Sequence, residues 1–117
     1  MITKPNVKIN LGLNVLRKRE DGFHDLETLY VPYFRINDTL EIIVGDDYSR
    51  TSAALFGKYG NAQTDEGLPC LVQGMSEDGK LMITIARAEG VDWNPMKDLT
   101  AKAYMILAED FSLPPVK

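Results

Sequence analysis

The chain has 117 residues, room for one modest domain with a single core, and its 44% hydrophobic and 26% charged residues are ordinary for a soluble globular protein. A net charge of −4 has the wrong sign for a nucleic-acid binder, whose surface is normally basic, but leaves room for a nucleotide site built from a few local cations. The lone Cys70 excludes an intramolecular disulfide and suits a reducing cytoplasm, and no apolar run reaches the length of a membrane span.

The first element is expected over residues 6–16. Val7, Ile9, Leu11, Leu13 and Val15 alternate with Lys8, Asn10, Gly12 and Asn14, the period-two pattern of a half-buried β-strand. Such a strand buries the odd residues and presents Lys8 and Asn10 together on the other face. It begins close to Met1, so no signal peptide is expected. Residues 17–22 form a charged turn ending in Asp21-Gly22, a hairpin signal that brings the next segment back beside the first strand. Strand two is expected over 23–34, rich in Leu, Val and Tyr, with the donor-less Pro32 at an edge or a bulge. Asn37-Asp38 is the next turn and 39–44 the third strand.

Residues 45–79 are punctuated by six glycines and Pro69 and read as an irregular insert. Residues 53–56 fit one helical turn or a short strand, and 68–72 fit a strand. Ser76-Glu77-Asp78-Gly79 is a turn into a strand over 80–86. Asn94 and Pro95 then mark a helix start, as cap and first helical residue. Met96, Leu99, Ala103, Ile106 and Leu107 make one apolar face, and Pro114-Pro115 prevents the helix from continuing far beyond Asp110. The fold class is therefore α+β in a single domain, one helix on a mixed or antiparallel β-sheet.

The strand Pro5-x-x-Lys8-Ile9-Asn10-Leu11-x-Leu13-x-Val15, followed by Arg19-x-Asp21-Gly22-Phe23-His24-x-Leu26-x-Thr28, resembles the N-terminus of the 4-diphosphocytidyl-2-C-methyl-D-erythritol kinases. These belong to the galactokinase, homoserine kinase and mevalonate kinase superfamily. The resemblance is dense over residues 5–44, returns at 98–108 and is thin between. It implies part of a ribosomal-protein-S5-domain-2-like fold. It also implies a cytoplasmic enzyme of non-mevalonate isoprenoid biosynthesis that uses ATP and Mg²⁺ to phosphorylate the 2-hydroxyl of its cytidine diphosphate substrate.

The resemblance assigns Lys8 the catalytic ammonium, which stabilises charge on the transferring phosphoryl group; outside this motif, a strand lysine is usually just solvated. Asn10, on the same face, is implied as a donor to the substrate hydroxyls. Phe23 stands where the family usually has a tyrosine stacked on cytosine; phenylalanine keeps the π face and loses the hydroxyl. Without the resemblance, a core aromatic is the better reading of it. His24, the only histidine, is implied at the polar edge of cytosine, where one ring nitrogen donates and the other accepts. Thr28 and Tyr30 share its face and either line the same pocket or fill the sheet. Asp98-Leu99 stands where the family commonly has Asn-Leu near adenine; Asp98 departs from that pattern and serves equally as a carboxylate favoured by the helix dipole. One histidine and one cysteine are too few for a metal cluster, and Glu20-Asp21 and Asp46-Asp47 read as solvated turns.

The family's glycine- and serine-rich phosphate loop, and the aspartate that follows it, are not among these residues. The expectation is thus an incomplete, substrate-side part of a kinase, inactive by itself and prone to self-association through an unprotected sheet edge. The alternatives are a non-enzymatic nucleotide-binding or assembly fragment and a sister kinase of the homoserine or mevalonate type. Phe23-His24 in its cytidine-site motif weighs against the sister kinase.

Overall fold

The alternation over residues 7–15 builds one long arm of a β-hairpin in the computed structural model, which describes residues 1–45 and 53–117. The chain divides into two compact units, Met1–Glu41 and Ile42–Lys117. In the first unit, β1 (Ile2–Thr3) pairs with β4 (Leu40–Glu41), and β2 (Asn6–Lys18) pairs antiparallel with β3 (His24–Asn37). Pro32 lies opposite Lys8, on a strand with no second neighbour among the described residues, where its missing N–H leaves no ladder bond broken.

Two expectations for the first strand are corrected. It does not bury its odd residues: Val7, Ile9, Leu11, Leu13 and Val15 are all exposed, and no residue of this unit is fully buried. Period-two alternation assigns residues to faces but does not supply a layer to cover either face. Nor does one face run unbroken. Gly12 has φ +66°, and the register slips there, from Leu11 opposite Leu29 to Leu13 opposite Thr28. This is a bulge with glycine in the left-handed region. A Cβ built on Gly12 would meet nothing within 4 Å, so the glycine serves the bulge and not a close approach.

The second unit holds α1 (Ala53–Tyr59), β5 (Leu71–Met75), β6 (Met82–Ala86) and α2 (Leu99–Asp110). Within the stretch read as an irregular insert, the helical option at 53–56 is the one realised, as α1, and the strand expected over 68–72 forms three residues later, as β5. Asp46-Asp47 lie outside the described residues. β5 and β6 form an antiparallel hairpin around the expected turn at Ser76 to Gly79. The strand expected over 39–44 is realised only as β4, and residues 43–45 do not continue it. They bond instead to residues 115–117, Ile43 N–H to Lys117 O at 2.7 Å and Gly45 N–H to Pro115 O at 2.8 Å. Val116 meets Val44 antiparallel and Leu81 parallel, which makes this arrangement mixed. The buried residues are Cys70, Leu81, Met82, Val91 and Ala101, joined by Pro95 and Gly90.

The helix expected over 95–110 is two elements. Asn94 accepts from Met96 N–H at 2.9 Å and caps a 3₁₀ turn at Pro95–Lys97. Asp98 then leaves helical geometry (φ −63°, ψ 150°) and caps α2 anew. The 3₁₀ turn lies against β5, with Pro95 and Met96 beside Gly74. In α2 the expected apolar face is not the buried one. Leu99, Ala103, Ile106 and Leu107 are exposed, and Ala101 is completely buried. The fold class stands as α+β, with antiparallel and mixed strand pairing and packed helices. The strands form separate two-stranded sheets rather than one. No helix among the described residues is long and apolar enough to cross a membrane.

Candidate functional site

The register of β2 against β3 decides which side chains share a face, because residues directly opposite one another point the same way. Val7–Tyr33, Ile9–Val31 and Leu11–Leu29 occupy one face. Lys8–Pro32 and Asn10–Tyr30 occupy the other. Beyond the bulge, the pair Leu13–Thr28 joins the Lys8 face, because Thr28 is two residues from Tyr30. Val15–Leu26 and, past a second register shift between Val15 and Arg17, Lys18–His24 also lie on that face.

Lys8, Asn10, Thr28 and Tyr30 are therefore neighbours. The Lys8 ammonium sits over the Tyr30 ring, 4.3 Å from its centroid. This cation–π contact is worth about 0.5–1 kcal/mol at an exposed site and holds the side chain against the sheet. The ammonium keeps its three N–H donors for a ligand. The Thr28 hydroxyl donates to Gly12 O at 2.7 Å, so it ties β3 to the bulge and retains lone pairs with which to accept. Leu13, Val15 and Leu26, which the alternation assigned no part in the site, extend this face with an apolar strip. The signal for them was the glycine inside the alternating run.

His24 lies on the same face but six residues from Tyr30, about 20 Å along an extended strand. Phe23 precedes it in the hairpin loop, with 71% of its surface exposed, so it is not a core aromatic. The loop is closed by Arg19 N–H donating to Phe23 O at 2.7 Å and Gly22 N–H donating to Arg19 O at 3.2 Å, with Gly22 at φ +86°. Asp21, read from sequence as solvated, holds this loop: Oδ1 accepts from Phe23 N–H at 3.1 Å and Oδ2 pairs with Arg19. Asp25 pairs with Arg17 beside it. Two clusters result, one around Lys8 and one around Phe23-His24, joined by the apolar strip.

Asp98 and Leu99 belong to the second unit, at the start of α2. Asp98 Oδ1 accepts from Thr100 N–H at 3.0 Å and from the Thr100 hydroxyl at 2.7 Å, and Oδ2 accepts from Trp93 Nε1–H at 3.3 Å. Partial burial pushes its carboxyl upward, and the bonds from Thr100 and Trp93 outweigh that and hold it below the ordinary carboxylate value. An ionised Asp98 accepts but has no proton to donate. Leu99 is 80% exposed. Among the described residues, no three His, Cys, Asp or Glu side chains stand close enough to hold a metal ion.

No family model and no solved structure matches the chain. Among curated proteins it is 35% identical over 116 residues to the 4-diphosphocytidyl-2-C-methyl-D-erythritol kinase of Bacteroides fragilis, covering 99% of this chain and 31% of that one. It is 36% identical over 117 residues to the protein of the same name from Bacteroides thetaiotaomicron, covering all of this chain and 31% of that one. The kinase so named from Parabacteroides distasonis is 54% identical over 46 residues, 39% of this chain and 17% of that one. The chain spans 31% of the length of the two Bacteroides kinases, and over that share it is homologous to them.

Proposed function

We propose that these 117 residues are the substrate-side part of a kinase that transfers the γ-phosphoryl group of ATP to the 2-hydroxyl of 4-diphosphocytidyl-2-C-methyl-D-erythritol, in the cytoplasm. The observation that carries this reading is likeness along the whole chain to kinases bearing that name. The shared face of Lys8, Asn10 and Tyr30 supports it.

In this reading Lys8 stabilises negative charge on the attacking and transferred oxygens, and Tyr30 holds its ammonium in place. Asn10 donates to the substrate hydroxyls, and Thr28 accepts beside it. Phe23 offers an exposed ring for the cytosine to stack on, worth about 1–3 kcal/mol per base. His24 reads the polar edge of that base. Leu99 presents an apolar side chain to the adenine ring, and Asp98 accepts from its amino group. ATP supplies the phosphoryl group, with Mg²⁺ to offset its charge. The described residues offer no metal cluster of their own.

Titrating the 117-residue protein with CMP under two-dimensional NMR tests the reading. The amide and ring signals of Phe23 and His24 should move, and the Trp93 indole signal should not. Unmoved Phe23 and His24 signals would overturn it. A second reading, self-association, is favoured by one observation: Val7, Ile9, Leu11, Leu29 and Tyr33 expose apolar surface along one hairpin face. Sedimentation of a monomer at all concentrations would exclude it.

A further inference from the structure

The loop between β2 and β3 contains a device that neither the family resemblance nor the comparisons assign. Phe23 is a large aromatic that solvent surrounds on most sides. An exposed aromatic in a flexible loop would lose conformational entropy on stacking against a flat ligand, and that loss weakens binding. Here the backbone beneath the ring is held from both sides. Phe23 N–H donates to Asp21 Oδ1 at 3.1 Å, an Asx-turn, and Phe23 O accepts from Arg19 N–H at 2.7 Å. The second oxygen of Asp21 pairs with Arg19, so one carboxylate orients itself against the arginine and the aromatic against itself. Gly22, at φ +86°, lets the chain turn tightly enough for that contact.

We propose that Asp21 is a positioning residue: its Oδ1 fixes the Phe23 backbone so that the exposed ring is preorganised to stack on a pyrimidine base. The inference rests on the reading given under Proposed function and deepens it. The acceptor oxygen does the positioning, and the charge and the Arg19 pair assist only by orienting it. Asp21→Asn retains an acceptor at the same place, Arg19→Ala removes only the partner, and Asp21→Ala removes the acceptor.

The test is CMP affinity by NMR titration of the 117-residue protein and these three variants, each first checked for an unchanged amide spectrum outside the loop. Losing one hydrogen bond of this kind costs a factor of about five to ten. Asp21→Ala should therefore bind CMP about five- to tenfold more weakly, while Asp21→Asn and Arg19→Ala stay within about threefold of the parent. The Phe23 amide of the unmodified protein should show the shallow temperature dependence of a hydrogen-bonded proton. Asp21→Ala binding like the parent, or Asp21→Asn falling as far as Asp21→Ala, overturns the proposal and leaves the cytidine reading intact. A Phe23 amide with the steep temperature dependence of a solvated proton overturns it with no variant needed. Failure of the unmodified protein to bind CMP sinks the cytidine reading and this proposal together.

Discussion

Replacing Asp98 with alanine separates a structural carboxylate from a ligand contact. The variant loses the acceptor for Thr100 N–H, for the Thr100 hydroxyl and for the Trp93 indole. Loss of such a helix cap costs about 1 kcal/mol, within a range of roughly 0.5–2. Loss of negative charge at the first turn adds about 0.3–1 kcal/mol in part-exposed surroundings. The indole N–H is only half-buried and can turn to water, so it adds little. The expected total is about 1–2 kcal/mol, which lowers the melting temperature of a domain this size by about 4–8 °C per kcal/mol. Asp98→Asn keeps the acceptor and should lose only the charge term, about 0.3–1 kcal/mol. Trp93 is the only tryptophan, so its fluorescence during urea unfolding reports on this corner directly. Acid provides a second measurement. The folded state holds the Asp98 carboxyl below its ordinary value of 3.8, so its contribution is complete above that pH and disappears as pH falls through the lower, folded value. Asp98→Asn should remove that part of the acid sensitivity. An Asp98→Ala protein with the parent's urea midpoint would refute the capping account.

Two further outcomes follow from the first unit. Gly12→Ala places an L-side chain at φ +66° in otherwise open space, so it should cost about 1–2 kcal/mol of strain or force the bulge to regularise; Gly12→Asn should be milder. Cross-strand NOEs between Leu13 and Thr28 report the register, and their survival in the alanine variant without loss of stability would show that the bulge does not need glycine. Hydrogen exchange should divide the chain, because buried residues occur only in the second unit: amides of β2 and β3 should exchange much faster than those of Cys70 and Met82. Equal protection in both units would contradict that.

Several features were legible because each rests on local chemistry. Alternation marked β2, Asp21-Gly22 marked the hairpin loop, and Asn94-Pro95 marked a helical start. The face reversal at Gly12 left one trace in the sequence, the glycine itself, because a bulge leaves the apolar spacing intact and is fixed only by φ and the cross-strand register. The exposure of β2 was not legible either: a period assigns side chains to faces but does not tell whether anything covers them. For α2, counting large apolar residues pointed to Leu99, Ile106 and Leu107. The completely buried position is instead Ala101, whose small side chain needs little room. The second cap at Asp98 was present in the sequence but overshadowed by the stronger Asn94-Pro95 signal four residues earlier. Lys8 and Asn10 were legible as one face because both precede the bulge, whereas the pairing that brings Tyr30 and Thr28 beside them came only with the register. The apolar strip beyond the bulge became visible only with the register.

If Lys8 serves phosphoryl transfer, a chimera will show it. Residues 1–117 replace the matched residues of the Bacteroides thetaiotaomicron kinase, with Lys8 or with Lys8→Ala. Transfer from ATP to 4-diphosphocytidyl-2-C-methyl-D-erythritol is then measured. Position 8 is exposed and opposite Pro32, so alanine should leave the hairpin intact. Removing one preorganised donor from a developing oxyanion typically costs about 10²–10³ in kcat, roughly 3–4 kcal/mol. The loss should fall on kcat with KM little changed, as for an interaction made chiefly in the transition state. A folded Lys8→Ala chimera with near-parental kcat would contradict the account and leave Lys8 a solvated lysine resting on Tyr30.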